Sequence, residues 1–504
     1  MMQLEIAGCC LSNTAMNDLE KADFGKLKTV QTQDAEAVDF TVFDCFDQSL
    51  RQSHRLLIET GDTLELFMAD GQVLKQVARR AGNFVVDLSD GPVKQALSDL
   101  SALRSLLPVG SGELRHETLT LFDDVEKVQC RAQLRFLTTT DGGMLLVALQ
   151  GLRGYGKALS QLGKTLESVG AIALGEVDVY TQLFPQHPRY RAKPEIAISP
   201  DMAAFDAAND IIAAYIPVAR ANESGITADH DTAFLHDYRI ALRKIRAVLS
   251  LFKGIYGSEQ TDDLKSRFSA LMAVTGRVRD LDVYLLEQQK YYDLLPQSLH
   301  AGLDTLFNHL ASERAEMLAK LSDHLRSKSY DEEFARLVKL FGSRKKLTRG
   351  PNADLSAKAY AGVLIWKRYR KVCEIASAID ADTTDTEVHT LRIHCKKLRY
   401  LMEFFAPLFP QEQINSLLKP LKRLQDNLGL FNDYAVQQDS LSILLSQFNE
   451  PSHTGVLAMA QSIGALIAIL HRRQMEERIR ALDSFVKFDS PQTRKMFRKL
   501  FKGD

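Results

Sequence analysis

His236-Asp-Tyr-Arg239-Ile-Ala-Leu-Arg243-Lys244-Ile-Arg246 recurs 153 positions later as His389-Thr-Leu-Arg392-Ile-His-Cys-Lys396-Lys397-Leu-Arg399. The same offset of 153 carries Phe252 onto Phe405, Leu271 onto Leu424, Gly276 onto Gly429 and Asp280 onto Asp433. One unbroken offset over so long a stretch is the signature of an internal repeat. It predicts two homologous halves, 200–350 and 353–504, joined by the irregular segment 342–352. Apolar residues at three- and four-residue spacing run through both halves, so this part of the chain is expected to be all-α.

At about 100° per residue, His236, Arg239, Arg243 and Arg246 fall within an arc of about 80° on one helix face. Phe234, Tyr238, Leu242, Ile245, Leu249 and Phe252 occupy the opposite side and are expected to pack inward. The second copy repeats the pattern with Leu391, Cys395, Leu398, Met402 and Phe405. A solvated helix face normally mixes signs at i,i+4, yet no Asp or Glu occurs over 238–258 or 388–402. Like charges at that spacing cost a helix about 0.2–0.5 kcal/mol per pair, so the pattern predicts an anionic ligand. Arginine offers a fork for phosphate, lysine a point charge, and histidine a donor that titrates near neutrality.

These two segments, with Gly276-x-x-Arg279-Asp280 and Gly429-x-x-Asn432-Asp433 downstream, resemble the CHAD family, the conserved histidine α-helical domain. The resemblance spans about 300 residues. It implies two four-helix bundles related by a pseudo-two-fold axis, whose basic helices line a shared groove that binds inorganic polyphosphate. The expected polyphosphate ligands are His236, Arg239, Arg243, Lys244 and Arg246 with His389, Arg392, Lys396, Lys397 and Arg399. Asp280 and Asp433 read as structural, capping a helix or orienting a stripe arginine. The basic clusters Arg344-Lys345-Lys346, Lys367-Arg368-x-Arg370-Lys371, Lys419-x-x-Lys422-Arg423 and Arg472-Arg473 are surface charge that extends the groove only where the fold brings it close.

The chain as a whole carries 63 Lys+Arg and 64 Asp+Glu, a formal charge of −1. That balance hides an asymmetry: residues 1–190 hold 18 basic and 25 acidic side chains, net −7, whereas 191–504 hold 45 and 39, net +6. The anion is therefore expected on the later part. Of 28 glycines, 16 fall in the first 190 residues. Short apolar stretches there, 55–59, 63–67, 127–136 and 144–149, are separated by Gly-Asp, Asp-Gly and Asp-Gly-Gly turns, which predicts antiparallel strands. Helical spacing is read at 93–107 and 157–168, giving an α+β class, and the proline-bearing segment 185–200 reads as a linker.

An α+β domain ahead of a CHAD-like one is similar to the arrangement in which a CYTH domain, the triphosphate tunnel fold, comes first. That resemblance implies a domain at 1–190 that is antiparallel and tunnel- or barrel-like, followed by the all-α domain at 191–504. Active members open on Glu-x-Glu-x-Lys, whose carboxylates hold a divalent metal. Here Gln3-Leu-Glu5-Ile-Ala7 keeps one carboxylate and lacks the lysine. Phe43-Asp-Cys-Phe-Asp47 is similar to the family's aromatic-Asp segment, but Leu57 and Glu59 stand where inward arginines are expected, and Gln133 and Arg135 where carboxylates are. Gly151-Leu-Arg-Gly-Tyr-Gly156-Lys157-Ala158 mimics a phosphate loop, but Ala158 replaces the hydroxyl that magnesium needs, so it reads as a strand-to-helix turn.

The expected function is that of a polyphosphate-binding protein, with polyphosphate as partner, no catalytic residues and no cofactor. The alternative is a metal-dependent inorganic triphosphatase, with Mg²⁺ or Mn²⁺ required only in that case and the CHAD-like part delivering substrate. Nucleic acid ranks last, since Tyr400 is the one aromatic in either stripe's polar sector and stacking platforms are otherwise missing. Six cysteines without a CxxC pair, an amino terminus without a basic start, and a best apolar run of only 463–470 point to the cytoplasm with no membrane contact; the resemblance to polyphosphate-binding domains implies association with polyphosphate granules there.

Overall fold

The computed structural model describes residues 5–12, 15, 19, 21–34, 36–379, 383–447 and 454–502. The chain divides into two compact units, Met1–Arg191 and Ala192–Asp504.

The first unit is built on one curled antiparallel sheet. Its strands are β1 (Glu5–Ser12), β2 (Lys28–Gln33), β3 (Val38–Cys45), β4 (Leu56–Thr60), β5 (Thr63–Phe67), β6 (Val73–Val77), β7 (Leu106–Phe122), β8 (Val128–Thr138), β9 (Gly143–Gly151) and β10 (Ile172–Ala173). They run β10-β1-β9-β8-β7-β3-β4-β5-β6, with β2 also on β7. At 17 residues, β7 is long enough to pair β3 along its first half and β2 along its second, on the side away from β8.

Strand alternation assigns the two faces. Cys130, Ala132, Leu134 and Phe136 of β8 meet Ala158, Leu162 and Leu166 of helix α1 (Gly156–Ser168). On the other face Phe40, Val42, Ile58, Phe67, Leu114, Met144 and Leu146 pack with Tyr180, Leu183 and Phe184. Arg135 of β8 lies 3.6 Å from Glu65 of β5, although β7, β3 and β4 separate their strands in the sheet. That contact requires the sheet to curl into a half-barrel, as the resemblance implies.

The four expected strands are β4, β5, β8 and β9, and 151–158 is the turn from β9 into α1. The helix expected over 93–107 is confined to Pro92–Ala96. Val93 and Leu97 are core residues at helical spacing, but Leu106 already belongs to β7, and the intervening Asp99 is held outside any helix by the Arg55 guanidinium at 2.8 and 3.0 Å.

The second unit is helical: α2 (Ala204–Ala221), α3 (Thr232–Leu251), α4 (Ser258–Ala273), α5 (Gly276–Leu286), α6 (His300–Leu325), α7 (Lys328–Ser343), α8 (Ala357–Ser377), α9 (Asp385–Phe404), α10 (Gln411–Gln447), α11 (Thr454–Phe488) and α12 (Pro491–Phe501). Shifted by 153, α3 becomes 385–404, the span of α9, and α2 becomes 357–374, within α8. Helices α4 and α5 together map onto α10, and α6 onto α11. The second half is thus four long helices, α8 to α11, with the shorter α12 appended, and the first half matches it with the third helix broken into α4 and α5 and with α7 appended. Both basic helices start on side-chain caps at equivalent positions, Asp231 accepting from the backbone N–H of Ala233 and Phe234, and Thr384 in a capping box with Glu387.

The halves share a core, Leu303, Leu306, Phe307 and Leu310 of α6 packing with Met459, Ile463, Leu466 and Leu470 of α11. By length and composition α11 could cross a membrane, which the short run at 463–470 does not foreshadow. In this fold one stripe of it is buried against α6.

Candidate anion-binding site

Helix α3 buries Phe234, Tyr238, Leu242, Ile245 and Leu249, and α9 buries Leu391, Cys395, Leu398 and Met402. This inward packing leaves the basic stripes at the margin, where His236, Arg239, Arg243, Arg246, Arg392, Lys396 and Arg399 are half-buried and His389 is exposed. Helices α3 and α9 also touch each other directly. Lys244 of α3 forms an ion pair with Glu403 of α9 at 2.5 Å, and its ammonium lies 4.6 Å from the centre of the Tyr400 ring and 5.1 Å from that of Phe404.

The two stripes therefore share one electrostatic environment. Burial, followed by the charges of Arg243, Arg392 and Arg399, pushes the Lys396 ammonium down to about 8, against a smaller opposing pull from Asp433. Arg243 belongs to the other half of the repeat. Arg239 is likewise lowered, first by burial and then by Arg243, Arg279 and Arg246, with Asp280 opposing. The Nε atoms of Arg243 and Arg399 are buried without a hydrogen-bond acceptor among the described residues. Half-buried cations that repel one another, with buried donors unsatisfied, are stabilised when an anion enters between them.

Apart from His236, which is half-buried on α3, the expected ligands divide into three groups. Arg243, Lys396, Arg239, Arg246, Arg392 and Arg399 converge. Arg239 Nη1 donates to Thr275 Oγ1 at 2.6 Å, Arg392 lies 3.7 Å from Asp433 and Arg399 lies 3.6 Å from Glu403, so each is oriented by a neighbour. His389 is set by Asn432, whose Nδ2 donates to Asp433 and whose Oδ1 accepts from His389 Nδ1. Lys244 is engaged by Glu403, and Lys397 sits away from the convergence, in the field of Arg368 and Lys253.

Three neighbours of the site are not among the expected ligands. Arg279, which stands in the Gly276-x-x-Arg279-Asp280 motif but is not counted as a ligand, acts on Arg239 and Arg243. Thr275, at the break between α4 and α5, has Leu428 as its counterpart. Glu403 lies one residue past the acid-free stretch 388–402.

Residues 210–442 match the family model of the CHAD domain. This unit contains a CHAD domain. The matched span holds both basic helices, from within α2 to within α10. Among solved structures, the chain is similar to the CHAD domain from the plant Ricinus communis, with 22% identity, 62% of this chain and 98% of that chain covered, and a TM-score of 0.47. It is also similar to PptA from Streptomyces chartreusis, with 14% identity, 56% and 99% covered, and a TM-score of 0.45. No curated protein matches it.

Outside the CHAD domain, the tunnel positions take structural roles. Gln3 and Leu4, and the side chains of Glu5, Ile6 and Ala7, lie outside the described residues. Asp44 is buried, accepts from the backbone N–H of Cys45, Leu50 and Arg51 and from the Tyr180 hydroxyl, and is raised by burial to about 6. Leu57 is in an apolar core and Glu59 pairs with Arg80. Glu65 is held by Lys75 at 2.5 Å and by Arg135, a carboxylate spent on cations rather than left to a divalent metal. Among the described residues no group of three or more His, Cys, Asp or Glu side chains is placed to hold a metal ion.

Proposed function

We propose that this protein binds inorganic polyphosphate along the line where α3 and α9 meet. The observation that carries the reading is that the two basic helices, one from each half of the repeat, pack on each other and are joined by the Lys244–Glu403 ion pair, with the Nε atoms of Arg243 and Arg399 buried there without a hydrogen-bond acceptor among the described residues. A linear chain of phosphates with a charge on every unit matches two converging rows of cations. Arginine forks take oxygens in pairs and Lys396 contributes a point charge. Binding would lift the repulsion among the cations and satisfy the Nε donors of Arg243 and Arg399.

A single-stranded nucleic acid would bring the same charge but would need free aromatic faces on which its bases stack. The Tyr400 ring already has the cations of Lys244, Lys396 and Arg399 within 4.6, 5.8 and 5.7 Å of its centre. The role that follows is binding rather than turnover, in the cytoplasm at polyphosphate granules. The test is titration of the full chain with long polyphosphate, with single-stranded DNA as competitor, beside an Arg243→Gln/Lys396→Gln variant of unchanged helicity. The proposal expects tight binding that DNA does not displace and that the double variant loses. Equal binding by parent and variant would overturn it.

A further inference from the structure

The repeat supplies an internal control for a second charged cluster. In the first half Lys244 is neutralised by Glu403, and the neighbouring position on α2 is Tyr215, which feels the Glu403 charge. Applying the offset of 153, the counterparts in the second half are Lys397 for Lys244, Ser250 for Glu403, Arg368 for Tyr215 and His394 for Ala241, while Lys253 stands where the other half has Ala406. The carboxylate has gone, and three additional basic side chains have arrived.

We propose that Lys253, Arg368, His394 and Lys397 form a subsite for a phosphate group beside the convergence of the stripes, in one half of the repeat only, the equivalent place in the other half being filled by the protein's own carboxylate, Glu403. The inference rests on the polyphosphate reading and makes the two repeat-related places unequal, one holding Glu403 and the other a cluster of cations around Lys397.

Geometry and charge support it. Arg368 Nη1 lies 3.1 Å from His394 Nδ1. An arginine can only donate, so this nitrogen is an acceptor, and the ring's proton sits on Nε2, ready for an anion. Arg368, Lys253 and Lys397 have no ion-pair partner among the described residues, and Glu374, the carboxylate felt by His394, is paired with Lys371 at 2.6 Å. Burial, then Arg368, Lys397 and Lys371, push His394 down to about 4, and Lys397 is lowered by burial, Arg368 and Lys253. The backbone oxygen of Lys253 accepts from the Tyr360 hydroxyl at 2.9 Å, which ties this lysine to α8, the helix that carries Arg368.

The experiment follows the His394 ring by NMR in the isotope-labelled full chain, its resonance assigned from a His394→Gln variant. Inorganic phosphate, and separately long polyphosphate, should each raise the His394 titration midpoint, and Ser250→Glu should raise it without ligand by restoring the missing carboxylate. In parallel, Lys253→Gln/Arg368→Gln should weaken long polyphosphate by about five- to tenfold, the loss of two charged contacts. A ring that responds to neither anion, or a double variant that binds as the parent does, overturns the subsite. If the Arg243→Gln/Lys396→Gln protein binds polyphosphate undiminished while His394 still responds to inorganic phosphate, the groove fails and the phosphate site stands.

Discussion

Phe252 and Phe405, residues 153 positions apart at the ends of α3 and α9, stack on each other with ring centres 4.8 Å apart and planes 14° from parallel. A residue can touch its own repeat equivalent only beside the axis that relates the two copies, so this pair marks the pseudo-two-fold. Tyr284 and Gln437, also 153 apart, meet in the same way through the tyrosine hydroxyl and the glutamine backbone oxygen at 3.4 Å. The axis brings the helices of the two basic stripes together.

Phe405→Ala should remove a fully buried ring that also packs edge-on against Tyr360. Truncations of this kind cost about 3–5 kcal/mol. The helical unit should unfold at lower denaturant, and polyphosphate affinity should fall with it, whereas Phe405→Leu should keep most of both. Chemical denaturation followed by helicity checks the first part, and titration the second.

Affinity for polyphosphate should fall steeply with salt, because each cation on the chain displaces a condensed counterion. Neutralising Arg243 or Lys396 should reduce the slope of log affinity against log salt by about one per charge removed. A slope unchanged by either substitution would place these residues outside the contact.

The depressed Lys396 predicts a pH dependence with a definite sign. A bound polyanion favours the charged ammonium and returns its titration point upward from about 8, so binding near pH 8 should take up protons and affinity should decline from pH 7 to 9. The linked stability effect runs the other way: the unfolded chain, titrating near 10.4, holds this proton when the folded chain does not, so this group's contribution to stability rises between about pH 8 and 10. Calorimetry in buffers of different ionisation enthalpy should detect the uptake, and Lys396→Arg should abolish it.

Lys244 and Arg243 are adjacent in sequence, but only Lys244 has a carboxylate partner in Glu403. Lys244→Gln should therefore cost polyphosphate affinity much less than Arg243→Gln, and it should lower thermal stability by leaving Glu403 without that partner. Equal losses of affinity would return Lys244 to the contact.

In the β unit, Glu65→Ala removes the partner of the buried Arg135 and should destabilise that unit by about 3–5 kcal/mol. Polyphosphate affinity should be unaffected. A variant with normal stability would mean that Arg135 finds another acceptor in the curled sheet.

The repeat, the inward and outward faces of α3 and α9, and the turn-bounded strands β4, β5, β8 and β9 were legible in the sequence because helical and strand periodicity are local properties of neighbouring residues. Other features depended on contacts between residues far apart in the chain. The 17-residue β7 went unrecognised because its pairing with β2, β3 and β8, rather than a continuous apolar alternation, sustains it. The pairing of Glu65 with Arg135 exists only because the sheet curls through the strands between them. In the helical unit the sequence marked ten basic ligands as one class, but packing separated them: Arg243 and Lys396 share a field, Lys244 is neutralised by Glu403, and Lys397 joins Arg368 and Lys253. An offset of 153 identifies which residues correspond, but which charges meet is decided by distance and desolvation, and only the packed helices set those.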